Sequence, residues 1–131
     1  MEIAFLTLED VLALHDELIQ RYGGTPGLLD AGLLESALAM PQAGFGSQYF
    51  HEFPHEMGAA YLFHLVRNHA FIDGNKRVAL ACAILFFKIN RVSYSITEEE
   101  AVELTLAAAS GRVDKGAVTA FFQKHRKIPD N

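Results

Sequence analysis

Ten consecutive residues from Val78 to Phe87, Val-Ala-Leu-Ala-Cys-Ala-Ile-Leu-Phe-Phe, carry no charge, and a helix drawn through them is apolar on every face. A helix of that kind has no side to show to water, so other elements must enclose it. The segment is expected to be the central, buried helix of a layered core. Directly before it, the nine residues His69-Ala70-Phe71-Ile72-Asp73-Gly74-Asn75-Lys76-Arg77 hold a base, a carboxylate, a glycine turn, an amide and two cations. No other stretch of the chain is as dense in reactive groups.

Upstream of this motif, Met57, Ala60, Tyr61 and Leu65 recur at helical spacing, with His64 and Asn68 on the same stripe, so a helix is expected to end near His69. Asp73-Gly74 is a turn dipeptide and Asn75 a favoured N-cap, which starts the apolar helix at about Asn75 or Lys76. The N–H groups of its first turn then point into the loop. With the positive end of the helix dipole they favour an anion beside Lys76 and Arg77. An imidazole takes up a proton near neutral pH, and a carboxylate holds a hard cation such as magnesium. His69, Asp73 and the Asn-Lys-Arg run together read as a phosphoryl- or nucleotidyl-transfer site.

The motif resembles that of the Fic/Doc family, whose general form is His-x-Phe-x-(Asp/Glu)-Gly-Asn-(Gly/Lys)-x-x-Arg. Leu14-His15-Asp16, Arg21-Tyr22-Gly23-Gly24, Pro26-Gly27 and Asp30-Ala31-Gly32 look like the start of the Doc (death on curing) toxins, and the likeness runs over nearly all 131 residues. The resemblance implies a single Fic/Doc-like domain over residues 1–131. Such a domain is all-α, a compact bundle of about six helices. It further implies His69 as the catalytic base, Asp73 as the magnesium ligand, and Asn75, Lys76 and Arg77 as contacts to the phosphates of ATP. Gly74 and Arg67 belong beside those phosphates, and Phe71 is the buried anchor of the loop.

Lys76 stands where the adenylyl-transferring members of the family carry a second glycine, and Leu80 where they carry a second arginine. A glycine lets phosphates approach the backbone closely, whereas a lysine fills that space and supplies a point charge. Doc toxins share both the lysine and the leucine. The resemblance therefore implies that ATP gives its terminal phosphate to a threonine of elongation factor Tu, which arrests translation. Two other classes remain open: transfer of AMP to a protein hydroxyl, and a non-catalytic module that holds nucleotide or peptide. The intact set of His69, Asp73 and Asn75 argues against the second.

Many family members restrain themselves with a (Ser/Thr)-x-x-x-Glu-(Gly/Asn) helix whose glutamate engages a motif arginine. Here no glutamate is followed by glycine or asparagine, and Leu80 replaces the second arginine. Both halves of the internal brake are missing. The resemblance then implies a separate antitoxin of the Phd type, with a segment that gains order as it binds an apolar, partly charged groove near the active-site loop.

The net charge of -5 and the pI near 5.6 argue against a direct nucleic-acid partner held by phosphate neutralisation. The cations from Lys124 to Lys127 suit the last turn of a helix. The single cysteine, Cys82, excludes an internal disulfide, fits a reducing compartment and sits among core neighbours. Glu2, Glu9 and Asp10 interrupt the N-terminal apolar run, so no leader peptide is expected. No stretch of about eighteen apolar residues could span a membrane. A cytoplasmic protein without a membrane partner is expected.

The remainder reads as helices. Thr7 and Asp10 form a capping box for a helix through Val11, Leu12, His15, Leu18 and Ile19 that stops at Gly23-Gly24. Asp30 caps a second, with Leu33, Leu34, Ala37 and Leu38 before Pro41. Residues 42–54 lack a period and read as a loop, a candidate flap. Val92, Tyr94 and Ile96 alternate as a short strand or extended link. Thr97 and Glu100 cap a helix carrying Ala101, Val102, Leu104, Leu106 and Ala108, and the last helix follows from about Asp114 with Val118, Phe121 and Phe122 inward. His51-Glu52-Phe53-Pro54-His55 spells the zinc-protease pattern His-Glu-x-x-His, but Pro54 prevents both histidines from sharing a helical face and suits the first position of the next helix. His15 and Asp16 are adjacent and diverge on a helix, which leaves them no joint catalytic role.

Overall fold

Thr7 accepts a hydrogen bond from the Asp10 N–H while the Asp10 carboxylate accepts one from the Thr7 N–H, and this reciprocal pair opens α1 (Leu8–Tyr22). The computed structural model describes residues 2–127. Asp30 caps α2 (Ala31–Ala39) through the Leu33 N–H, and Asp114 caps α6 (Lys115–His125) through the Ala117 N–H. A second capping box, Thr97 with Glu100, opens α5 (Glu98–Ala109). The motif lies between α3 (His55–Asn68) and α4 (Asn75–Ile89). Six helices account for nearly all regular structure among the described residues. The fold is the all-α bundle expected.

α4 packs against α1, α3 and α5, and buries Val78, Ala79, Cys82, Ala83, Phe86 and Phe87. α3 shares the centre, touching α2, α4, α5 and α6. Gly58 permits its close approach to α4, because the Phe87 ring occupies the space where a β-carbon would stand. Enclosure of α4 on every face does not hold: Ile84 is 40% exposed. The neighbouring helices leave an apolar concavity along that side, so continuous hydrophobicity here marks a groove wall as well as a core.

Residues 42–54 contain more order than their sequence suggests. β1 (Gly44–Phe45) pairs antiparallel with β2 (Gln48–Tyr49), with Gly46 at φ 65° in the turn. Gly44 lies so close to the Gln48 carbonyl that a β-carbon would clash. Backbone pairing, rather than side-chain period, makes this hairpin. Phe45, Tyr49 and Phe50 are all exposed on it.

The alternating segment after α4 is an extended link that pairs with the end of α6 and the residues just after it. Ser95 N–H donates to the His125 carbonyl and Lys127 N–H to that of Ser93, at 2.8 and 2.9 Å. Val118 and Phe122 of α6 are buried as expected, whereas Phe121 is half-buried. Val102 and Leu106 of α5 are exposed, at 46% and 45%. No helix among the described residues is long and apolar enough to cross a membrane.

Candidate active site

His69 ends α3 in the left-handed conformation, φ 50° and ψ 55°, which turns the chain sharply out of the helix and leaves the imidazole exposed. Phe71, 2% exposed, then dives into the core and anchors the loop as its resemblance implies. Gly74, at φ 76°, makes the second left-handed turn and launches α4.

Gly74 occupies the cap position, which corrects the expectation for Asn75. Asn75 is the first residue of α4 and its side chain, only 6% exposed, turns back to the loop. Its Nδ2 donates to the Phe71 carbonyl at 2.8 Å, and its Oδ1 accepts from the Phe71 N–H at 3.0 Å. A side chain engaged at both ends with the backbone of one residue cannot also bend round to cap its own helix.

The segment between α1 and α2 clamps the motif from outside. Leu29 and Asp30 N–H both donate to the Ala70 carbonyl, and Ile72 N–H donates to that of Gly27. Thr25 N–H donates to Asp73 Oδ2 at 3.0 Å, and Gly74 N–H to Oδ1 at 2.8 Å. Gly24 has a job here: a β-carbon on it would stand 2.7 Å from Asp73 Oδ2. The two backbone donors, Thr25 first and then Gly74, hold the exposed Asp73 carboxyl below its ordinary range, and the Arg77 charge adds to this. Each carboxylate oxygen keeps lone pairs on its solvent side, so Asp73 fits a hard cation such as magnesium. Among the described residues no cluster of three or more histidine, cysteine or acidic side chains is placed to hold a metal ion, at Asp73 or elsewhere.

Asp73, Gly74, Lys76 and Arg77 line a cavity of about 360 Å³ whose other wall is Leu80 with Val102, Thr105 and Leu106 of α5. The exposed apolar residues of α5 thus face the motif. The N-terminus of α4 opens beside this cavity, with free N–H groups and two cations, a setting that suits phosphate. Arg77 lies 4.6 Å over the ring of Tyr22. His69, Asn75 and Arg67 do not line the cavity. Arg67 is exposed, its guanidinium 5.9 Å from the Phe63 ring and beside Gly111 in the turn before α6.

The two histidines of the zinc-like pattern part company. His51 Nε2 accepts from Lys115 Nζ at 2.9 Å, whereas His55 Nδ1 lies 2.8 Å from the Tyr94 hydroxyl. Pro54 precedes α3 as its cap, one position before the first turn where it was expected. His64 joins His51 on the same lysine at 3.2 Å, and burial followed by the Lys115 charge pushes its pKa down to about 4. Burial raises the Cys82 thiol to about 12, in keeping with a core role.

Sequence reasoning missed three contributors to the site: the Thr25 N–H, the close approach at Gly24, and His15. All act across many residues of chain. Their only signal was the likeness of Arg21-Tyr22-Gly23-Gly24 and Leu14-His15-Asp16 to the start of Doc sequences.

Comparison with known proteins identifies the family. The Fic/DOC family profile matches residues 5–87, and the chain belongs to that family. It is 38% identical over 110 residues to the protein kinase doc of Escherichia phage P1, covering 84% of this chain and 86% of that protein. It is 41% identical over 88 residues to the toxin Doc of Mycolicibacterium smegmatis, covering 67% of this chain and 65% of that protein, just under two thirds of its length.

Proposed function

We propose that this protein is a cytoplasmic toxin of a toxin–antitoxin pair, which transfers the terminal phosphate of ATP to a serine or threonine hydroxyl of a translation factor, with elongation factor Tu as the expected target. The observation that carries the reading is the Asp73 turn: an ionised, outward-facing carboxylate fixed by Thr25 and Gly74 beside the open N-terminus of α4. The 38% identity to a protein named as a kinase supports the choice of reaction.

His69 is the general base. Its exposed imidazole accepts the proton of the incoming hydroxyl as that oxygen bonds to the terminal phosphorus and ADP departs. Lys76, Arg77 and the free N–H groups in the first turn of α4 hold the phosphates with Gly74 beside them, and Arg67 is assigned to the same task by the family resemblance. Asn75 serves chiefly through its loop clamp. Asp73 would hold a magnesium ion, which would supply charge neutralisation on the phosphate oxygens. Leu80 makes the cavity wall apolar where the adenylyl-transferring relatives carry a cation, and this favours phosphoryl over AMP transfer.

A Phd-type antitoxin is the proposed partner. A concavity of about 500 Å³ between α4, α5, α6 and the extended link carries Ile84, Phe87, Ile96 and Phe121, with Lys88 and Glu98 beside them. Leu80 lines both this groove and the cavity at the motif, so a segment bound there would touch the site's own wall.

Incubation with γ-labelled or α-labelled ATP and a cell lysate tests the reaction. Label should move onto one protein from the γ position only. Transfer of the α label would assign AMP transfer instead, and retention of nucleotide without transfer would make the chain a binding module.

A further inference from the structure

We infer that His15 is a positioning residue for the Asp73 turn, an inference that rests on the reading of Asp73 as the carboxylate that receives the cation. His15 lies on α1, 58 residues from its partner, and is 4% exposed. Its Nε2 is 2.8 Å from the Asp73 carbonyl oxygen. A carbonyl can only accept, so Nε2 carries the proton and the tautomer is set. The ring also stacks on Phe71, with centroids 3.7 Å apart and planes 11° from parallel.

These two contacts address different atoms of the same turn. The stack holds the loop's anchor, and the hydrogen bond holds the Asp73 peptide plane. A β-carbon on Gly74 would stand 3.4 Å from His15 Nε2, so the imidazole also lies close under the left-handed residue that starts α4. Asp73 is thereby fixed at three points: its backbone carbonyl by His15, one carboxylate oxygen by Thr25 and the other by Gly74. Without the His15 bond the Asp73–Gly74 peptide keeps only its Gly74 N–H bond to the carboxylate, so peptide and carboxylate can turn together. Groups that orient a metal ligand from behind typically contribute about 10- to 100-fold in metal affinity or activity.

Histidine is the side chain that meets both needs. Phenylalanine would keep the stack and lose the donor, whereas glutamine keeps a donor at nearly the same reach and loses the stack. His15→Phe and His15→Gln therefore separate packing from positioning. His15→Phe should melt close to the unmutated protein, yet need on the order of tenfold more magnesium for half-maximal transfer. It should also speed amide exchange at Ile72, Asp73 and Gly74 selectively, and weaken paramagnetic broadening of those amides by added Mn²⁺. His15→Gln should restore the cation dependence while melting lower. Unchanged exchange and unchanged Mn²⁺ broadening in His15→Phe would overturn the inference. If His15→Phe fails to fold, the comparison falls to His15→Gln against His15→Ala: equal loss of Asp73 protection in both would equally overturn it. The exchange arm needs no catalysis, so it still decides the role of His15 if no transfer activity is found, an outcome that would count against the kinase reading alone.

Discussion

The side-chain amide of Asn75 holds the backbone of Phe71 on both sides of its Cα, donating to its carbonyl at 2.8 Å and accepting from its N–H at 3.0 Å. The bond ties the first residue of α4 to the anchor of the loop. Removing the amide would leave a buried N–H without a partner, which costs about 1–3 kcal/mol. Asn75→Ala should lower the unfolding free energy by that amount, read as a lower urea midpoint, and loosen the loop, so that transfer falls as well. A variant as stable as the unmutated protein would show that the clamp is dispensable.

His69→Ala should slow transfer on the order of 10²- to 10⁴-fold, the contribution of a placed general base, with little change in stability because the imidazole is exposed. Asp73→Asn should fail differently, through loss of magnesium dependence. Comparing rates across a magnesium titration distinguishes the two defects.

Lys76→Gly should open the space beside the phosphates and remove a point charge. Phosphorylation should then fall, and any AMP transfer should rise. Mass analysis of the modified target reads this directly, since adenylylation adds the nucleoside and phosphorylation does not.

The lysine shared by His51 and His64 predicts a pH dependence. Burial and the Lys115 charge lower the pKa of both imidazoles, that of His64 from 6.5 to about 4, while Glu56 opposes the shift at His51. Between those two values the unfolded chain binds a proton at His64 that the native state does not. Stability from this site is therefore complete above pH 6.5 and declines as pH falls toward 4. Urea melts at neutral pH and near pH 5 should show a smaller loss in His64→Gln, whose amide oxygen still accepts from Lys115. An equal loss in both would assign the pH response to other groups.

Expression of the chain alone should arrest growth, and His69→Ala should abolish the arrest. Co-expression with the small protein encoded beside it should restore growth. Harmlessness of the intact, folded chain would falsify the toxin reading.

Much of the fold was legible because its signals are short-ranged. Thr7, Asp30, Thr97 and Asp114 each bond within three residues of themselves, so four helix starts can be read from neighbours alone. The hairpin at Gly44–Tyr49 was not legible, since two-residue strands leave no period to detect. Asn75 misled for a related reason: its type suits a cap, but the buried Phe71 peptide offered it a better partner.

The sequence by itself determined the family motif, the helix order and the identity of the groups at the site, because those depend on residue type and on contacts a few positions apart. Only the tertiary structure decided how these groups are held. Thr25 reaches Asp73 across 48 residues, His15 across 58, and Lys115 meets His51 across 64. Hydrogen bonds of that range arise only after helix packing has brought distant segments within about 3 Å of each other, and no local pattern encodes them.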